Sequence, residues 1–329
     1  TVYIGLGSAG TAWYKLDTQA KDKKWIALAE FPAGPRDQAT SAFIDGNLYV
    51  FGGVGKNSEG LTQVFNDVHK YNPKTNTWVK LMSHAPMGMA GHVTFVHNGK
   101  AYITGGVNQN IFNGYFEDLK EAGKDSAAID KINTHYFDKK AEDYFFNKFL
   151  LSFDPSTQQW SYTGESPWYG TAGAAVVNKG DKTWLINGEA KPGLRTDAVF
   201  ELDFTGNGIK WNKLSPVSSP DGVAGGFAGI SNDSLIFAGG AGFKGSRENY
   251  QNGKNYAHAG LKKSYSADIH LWHNGKWEKS GELSQGRAYG VSLPWNNNLL
   301  IIGGETTGGK AVADSVLLSV KDNKVTVQN

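Results

Sequence analysis

Leu48-Tyr49-Val50-Phe51-Gly52-Gly53 decides the fold, because the chain repeats it. The same apolar run closed by a glycine doublet returns at Ala101–Gly106, at Leu235–Gly240 and at Leu299–Gly304. Thr183–Gly188 keeps the pattern with Asn187 in place of the first glycine, and Val2–Gly7 is a degenerate copy. A tryptophan follows five of the six runs, at Trp25, Trp78, Trp160, Trp211 and Trp277. Between doublet and tryptophan lies another alternating strand, often closed by a turn such as Tyr71-Asn-Pro-Lys74 or Phe153-Asp-Pro-Ser156. Each unit is therefore about four short strands, which is one propeller blade. The expected fold is all-β, a six-bladed β-propeller.

Composition narrows the function. The chain has 329 residues, a length that suggests two domains, but the repeat argues for a single propeller domain because blades bury their faces against neighbours. The net charge is +2 with dispersed basic residues, so no electrostatic footprint for nucleic acid or an anionic membrane is present. No apolar stretch approaches the length of a membrane-spanning helix. Cysteine is absent, which removes disulfides, thiolate catalysis and thiolate metal sites together. A cysteine-free chain fits export. Because it opens at Thr1 already inside a strand, we expect a signal peptide and the first strand of blade one to have preceded it.

The blades are placed at about 1–30, 36–81, 89–162, 169–214, 222–280 and 287–327. Doublets are 53 residues apart from Gly52 to Gly105, but 82 apart from Gly105 to Asn187 and 64 from Gly239 to Gly303. Two blades therefore carry insertions, at about 107–148 and 241–263. The first holds Asp125, a good N-cap, ahead of Ile129, Ile132 and Tyr136 on one helical face, which predicts one to three helices in blade three. The second is rich in Gly, Asn and Tyr and reads as irregular. Long insertions in a repeat protein map to its functional face.

Four of the 33 basic residues are arginine. Arg36 and Arg287 open blades, while Arg195 and Arg247 sit in connections that emerge on the same face as both insertions. Arginine matters because its planar fork binds a carboxylate bidentately at any pH. A blade-opening arginine can equally bond loop carbonyls, and both readings stay open for Arg36 and Arg287. The residue after the doublet adds a second signal: Val54, Val107 and Ala241 in three blades, but Glu189 and Glu305 in two others. Glu189-Ala-Lys-Pro-Gly-Leu-Arg195 puts a carboxylate and a guanidinium on one short loop, which can hold an acid and move a proton. A solvated surface ion pair is the alternative.

Other signals carry less. Gly5-Leu-Gly-Ser-Ala-Gly10 matches a dinucleotide fingerprint, yet the following residues alternate like a strand and open no helix for a phosphate. The eight histidines show no metal-ligand spacing. Ser152–Trp160 is only superficially like a sialidase Asp-box, since it lacks the glycine and places its tryptophan one residue late.

The glycine doublets and tryptophans resemble kelch motifs along the whole chain, a fold that hosts oxidases, epimerases and plain interaction modules. The stretches Trp184–Arg195, Pro35-Arg-Asp-Gln-Ala39, Ser246-Arg-Glu-Asn-Tyr250 and Asn110–Asp118 are similar to the bacterial N-acetylneuraminate epimerases, the sialic acid mutarotases. That resemblance implies a periplasmic enzyme converting α-N-acetylneuraminate to the β anomer on a six-bladed kelch-type propeller, as a homodimer and without a cofactor or metal. It implies Glu189 as proton acceptor with Arg195 as its partner. Arg195, helped by Arg36 or Arg287, is expected to anchor the sugar carboxylate, with Arg247 also among the substrate-binding residues. Glu305, Tyr289 or water is expected to protonate the ring oxygen. Two rivals are a sialidase, which needs three clustered arginines and true Asp-boxes, and a non-enzymatic kelch module binding a glycan or a protein. A copper–tyrosyl radical oxidase is excluded, because its cross-linked cysteine cannot exist here.

Overall fold

A computed structural model describes every residue from Thr1 to Asn329. Six antiparallel sheets follow one another along the chain, one three-stranded and five four-stranded, so the fold is the six-bladed β-propeller. Blade one consists of Val2–Gly5, Trp13–Leu16 and Trp25–Ala27. Blade four pairs Ala175–Lys179, Lys182–Ile186, Val199–Gly206 and Gly208–Leu214 in sequence order, and the other four-stranded blades repeat that meander.

Local chemistry makes the meander. Several hairpins turn on two consecutive residues at positive φ, among them Asp45-Gly46, Asn98-Gly99, Asn232-Asp233, Asn274-Gly275 and Asn296-Asn297. Such turns match the twist of antiparallel strands and favour Asn, Asp and Gly. The two Asx-Pro turns close differently: Asn72 Oδ1 accepts from the Lys74 amide at 2.9 Å and Asp154 Oδ1 accepts from the Ser156 amide at 2.9 Å.

The residues fall into two compact units, Thr1–Ile132 with Leu150–Thr163 and Asn133–Phe149 with Gly164–Asn329. In the first, Phe51, Val68, Ala101, Ile103 and Phe153 bury the face between blades two and three, with Trp160 packed against them. In the second, Ile236, Ile269, Leu299, Ile301, Val316 and Leu318 do the same between blades five and six. The glycine-doublet strands and the strands that follow them supply the fully buried centre of both.

The first insertion contains helices α1 (Gln109–Ala122) and α2 (Ser126–Phe137) and a 3-10 turn at Ala141–Tyr144. Asp125 caps α2 as expected, its Oδ1 accepting from Ala127 and Ala128. The second insertion is more ordered than the sequence suggests. Ala241–Phe243 pairs with Lys263–Tyr265, and helix α3 (Ser246–Gln251) lies between them. Gly7–Ala9, within the apparent dinucleotide fingerprint, forms only a 3-10 turn between two strands. No helix is long and apolar enough to cross a membrane.

Candidate active site

Blade by blade, the residue after the doublet bridges back to the segment that opens the blade. Val54 pairs with Asp37, Glu189 with Ala172, Ala241 with Ala224 and Glu305 with Ala288. This register makes the blades comparable position by position. Arg36, Thr171, Val223 and Arg287 stand one residue before the bridge. Gln38, Gly173, Gly225 and Tyr289 stand one residue after it, all at positive φ.

The four arginines divide three to one. Arg36 donates from Nη1 to Asp67 Oδ1 at 3.0 Å and from Nη2 to Oδ2 at 2.9 Å, and Nη1 also reaches the Gly52 carbonyl at 2.9 Å. Its guanidinium lies 3.5 Å from the centre of the Phe65 ring. Arg287, fully buried, makes the same fork to Asp314 at 2.6 and 3.0 Å. Arg247 forks to Asp197 at 3.1 and 3.0 Å. The expectation gave Arg36, Arg247 and Arg287 a place in substrate binding; the structure pairs each of them with an aspartate. Each fork is already occupied by an aspartate, so the three are frame residues of the loops they anchor.

Arg195 is different. It lies on a two-residue strand, Leu194–Arg195, paired with Glu189–Lys191, and the register sets Glu189 and Arg195 directly opposite each other. Their side chains form an ion pair through Arg195 Nη1, with Arg195 buried and Glu189 one-fifth exposed. Arg195 Nε donates to the Ala241 carbonyl at 3.2 Å, and Nη2 lies 3.5 Å from the Tyr289 hydroxyl. The Phe243 ring flanks the guanidinium with its centroid 5.4 Å away. Burial pushes the guanidinium below the usual arginine range, with Tyr289 opposing that fall.

Tyr289 is held at a cost. It adopts φ 59, a region that Gly173 and Gly225 occupy at the same position of the two preceding blades. For a residue with a Cβ this costs about 1–2 kcal/mol. The three are linked through their backbones, Gly225 donating to the Gly173 carbonyl and Tyr289 to the Gly225 carbonyl, both at 2.8 Å. A Cβ on Gly225 would run into the Tyr289 ring, so glycine there makes the seat for that ring. The ring is 44% exposed, while the Lys263 ammonium lies 4.5 Å from its centre.

Glu305 stands beside this group. Its Oε1 accepts from Lys263 Nζ at 2.8 Å and from the Tyr265 hydroxyl at 2.6 Å. Partial burial pushes its carboxyl up, but these two bonds and the lysine charge outweigh burial and hold it below the usual range.

Four contributors went unread in the sequence. Lys263 and Tyr265 share one face of their short strand, a period-two signal at the end of the second insertion. Lys191 is fully buried beneath the Glu189–Arg195 hairpin and donates to the carbonyls of Phe137 at 2.9 Å, Lys139 at 2.7 Å and Asn255. Burial pushes its ammonium down to about 8, with Asp138 opposing. His258 sits among Phe137, Tyr256 and Phe243 with ring centroids 5.0 Å away in each case. Burial and the charges of Arg195 and Lys191 push it down to about 4, so it is neutral at ordinary pH. Gly193, in the hairpin turn, has no room for a Cβ against the His258 ring.

A carboxylate, a guanidinium and a phenol thus converge, with a second cation behind the phenol. Such a set can bind a small organic acid and move a proton on and off adjacent oxygens.

Comparison with known proteins gives the family. A sequence model described as N-acetylneuraminate epimerase matches residues 1–327. The chain is 94% identical over 329 residues to the N-acetylneuraminate epimerase of Escherichia coli strain K12, covering all of this chain and 89% of that protein. It is equally 94% identical, with the same coverage, to the protein of that name from Shigella flexneri. A solved structure described as "Structure of YjhT" superposes with a TM-score of 0.98 at 94% identity, covering 99% of this chain and 94% of that one. The chain belongs to the N-acetylneuraminate epimerase family.

Proposed function

We infer that this protein is an isomerase that interconverts the α and β anomers of N-acetylneuraminate by opening and reclosing the sugar ring. One observation carries the assignment of the site. Of four arginines, Arg195 alone is not locked into an aspartate fork and faces a glutamate and a tyrosine instead. Arg195 supplies the positive charge that draws the sugar carboxylate into the site, alongside its contacts with Glu189 and Tyr289. Glu189, an acceptor-only group when ionised, takes the proton from the anomeric hydroxyl. The ring carbon–oxygen bond then breaks to give an open-chain ketone, the carbonyl rotates, and reclosure on its other face gives the second anomer. Base catalysis of this kind contributes about 10²–10⁴-fold, enough to outpace the slow uncatalysed exchange.

Glu189→Gln tests the reading. With α-N-acetylneuraminate freshly released by a sialidase and followed by proton NMR, the variant should convert α to β at the uncatalysed rate while still binding the sugar. A variant with the full wild-type rate removes Glu189 from the mechanism. The family resemblance adds a periplasmic location, with which a cysteine-free chain is compatible, and a homodimer. Cell fractionation and light scattering of the purified protein test these two.

A further inference from the structure

We propose that Tyr289 is the general acid that protonates the ring oxygen, with Arg195 and Lys263 stabilising its phenolate. The proposal rests on the mutarotase reading and deepens it.

The fork of Arg195 is the central observation. One terminal nitrogen holds Glu189 and the other faces the Tyr289 hydroxyl at 3.5 Å. A guanidinium carries these two nitrogens on one carbon. An anomeric centre carries its hydroxyl and its ring oxygen on one carbon as well. A base and an acid braced on the two arms of Arg195 are therefore spaced for a pair of geminal oxygens.

The alternative acid is removed by its surroundings. Glu305 accepts from both Lys263 and Tyr265, and those bonds favour its ionised form, which has no proton to give. The strained backbone points the same way. Tyr289 keeps the left-handed conformation that Gly173 and Gly225 adopt in blades four and five and Gln38 adopts in blade two, which turns its side chain toward Arg195 and Lys263. Gly225 is the matching concession, since its missing side chain is what admits the ring.

The step balances. As Glu189 takes the hydroxyl proton, the electron pair of that O–H bond forms the new carbonyl and the ring C–O pair passes to the ring oxygen. That oxygen takes the Tyr289 proton. The phenolate left behind faces the Arg195 guanidinium at its oxygen and the Lys263 ammonium over its ring, 4.5 Å from the centre. On reclosure the phenolate recovers the proton from the attacking hydroxyl, and protonated Glu189 returns its own to the carbonyl oxygen. The charged and titratable groups around the phenol are Arg195, Lys263 and, through Lys263, Glu305 and Tyr265.

Tyr289→Phe keeps the ring in its seat and removes only the hydroxyl. Anomer exchange should fall about 10²–10⁴-fold in kcat with little change in KM. Lys263→Met should show a smaller loss, again in kcat rather than KM. A Tyr289→Phe protein with wild-type melting and activity within about threefold of wild type overturns the proposal and leaves water as the acid. A loss confined to KM overturns it too, making Tyr289 a binding residue. A wild-type protein that fails to accelerate α-to-β conversion would instead refute the mutarotase reading, whatever the variant does.

Discussion

Lys191→Met gives the sharpest test of how the two insertions are held over the site. In the folded protein the ammonium makes three hydrogen bonds, two to carbonyls of the first insertion and one to a carbonyl of the second. Bonds to a charged group contribute about 1.5–3 kcal/mol each, so their loss removes about 5–9 kcal/mol. Against this stands the burial of the ammonium, which pushes it from 10.5 down to about 8. That fall corresponds to about 3 kcal/mol, which methionine recovers. The net loss is about 2–6 kcal/mol, because the orphaned carbonyls outweigh the relieved charge. For a unit of this size, each kcal/mol moves Tm by roughly 2–4 °C, so the variant should melt about 4–24 °C lower by calorimetry. Hydrogen exchange should accelerate first around Phe137–Tyr144 and Tyr250–His258. Melting within about 2 °C of wild type, with unchanged exchange in both segments, would refute the reasoning.

Other expectations follow from the same geometry. Arg195→Ala should chiefly weaken binding of carboxylate-bearing sugars in calorimetric titration, and unchanged affinity would reassign the anchor. Arg36→Met leaves Asp67 buried without its partner and should destabilise the fold by about 3–5 kcal/mol in urea unfolding. Gly225→Ala should lower activity with Tyr289 intact, because the new methyl displaces the ring, and a fully active variant would show that the seat does not matter. Burial raises the Asp67 carboxyl, but Arg36 more than reverses this, and Arg287 likewise holds Asp314 below the usual range. Folded carboxylates with depressed values stabilise above the unfolded value and lose that contribution as pH falls through the folded one. Acid unfolding curves should therefore steepen below about pH 4, and less so in Asp67→Asn.

How much of this could be read beforehand follows from the range of each interaction. The doublets and tryptophans announce the blades because every blade must bury the same central strand. Glu189 and Arg195 were visible as a pair because they lie within one hairpin. The arginine forks were not, since Asp67 is 31 residues from Arg36 and Asp197 is 50 from Arg247. Lys191 escaped for another reason. Its partners are backbone carbonyls, which leave no signature in the side-chain sequence. The strain at Tyr289 became visible only when register aligned it with Gly173 and Gly225. The order in the second insertion was missed because its two strands are only three residues each and are separated by a helix.

Blade four, like blade five with Val223 at the arginine position, lacks a latch that blades two and six possess. Thr171 and Ala198 occupy the positions where blades two and six place Arg36 with Asp67 and Arg287 with Asp314. The blade bearing the reactive hairpin therefore has no internal latch at this point. Its connection is tied instead by Arg247, which reaches Asp197 from the following blade's insertion, with both side chains about a quarter exposed. Salt screens a pair so exposed more than it screens the buried Arg36–Asp67 fork of blade two. Concentrated salt should thus loosen this seam ahead of the rest, making pliancy of the loop around Glu189 a matter of ionic strength.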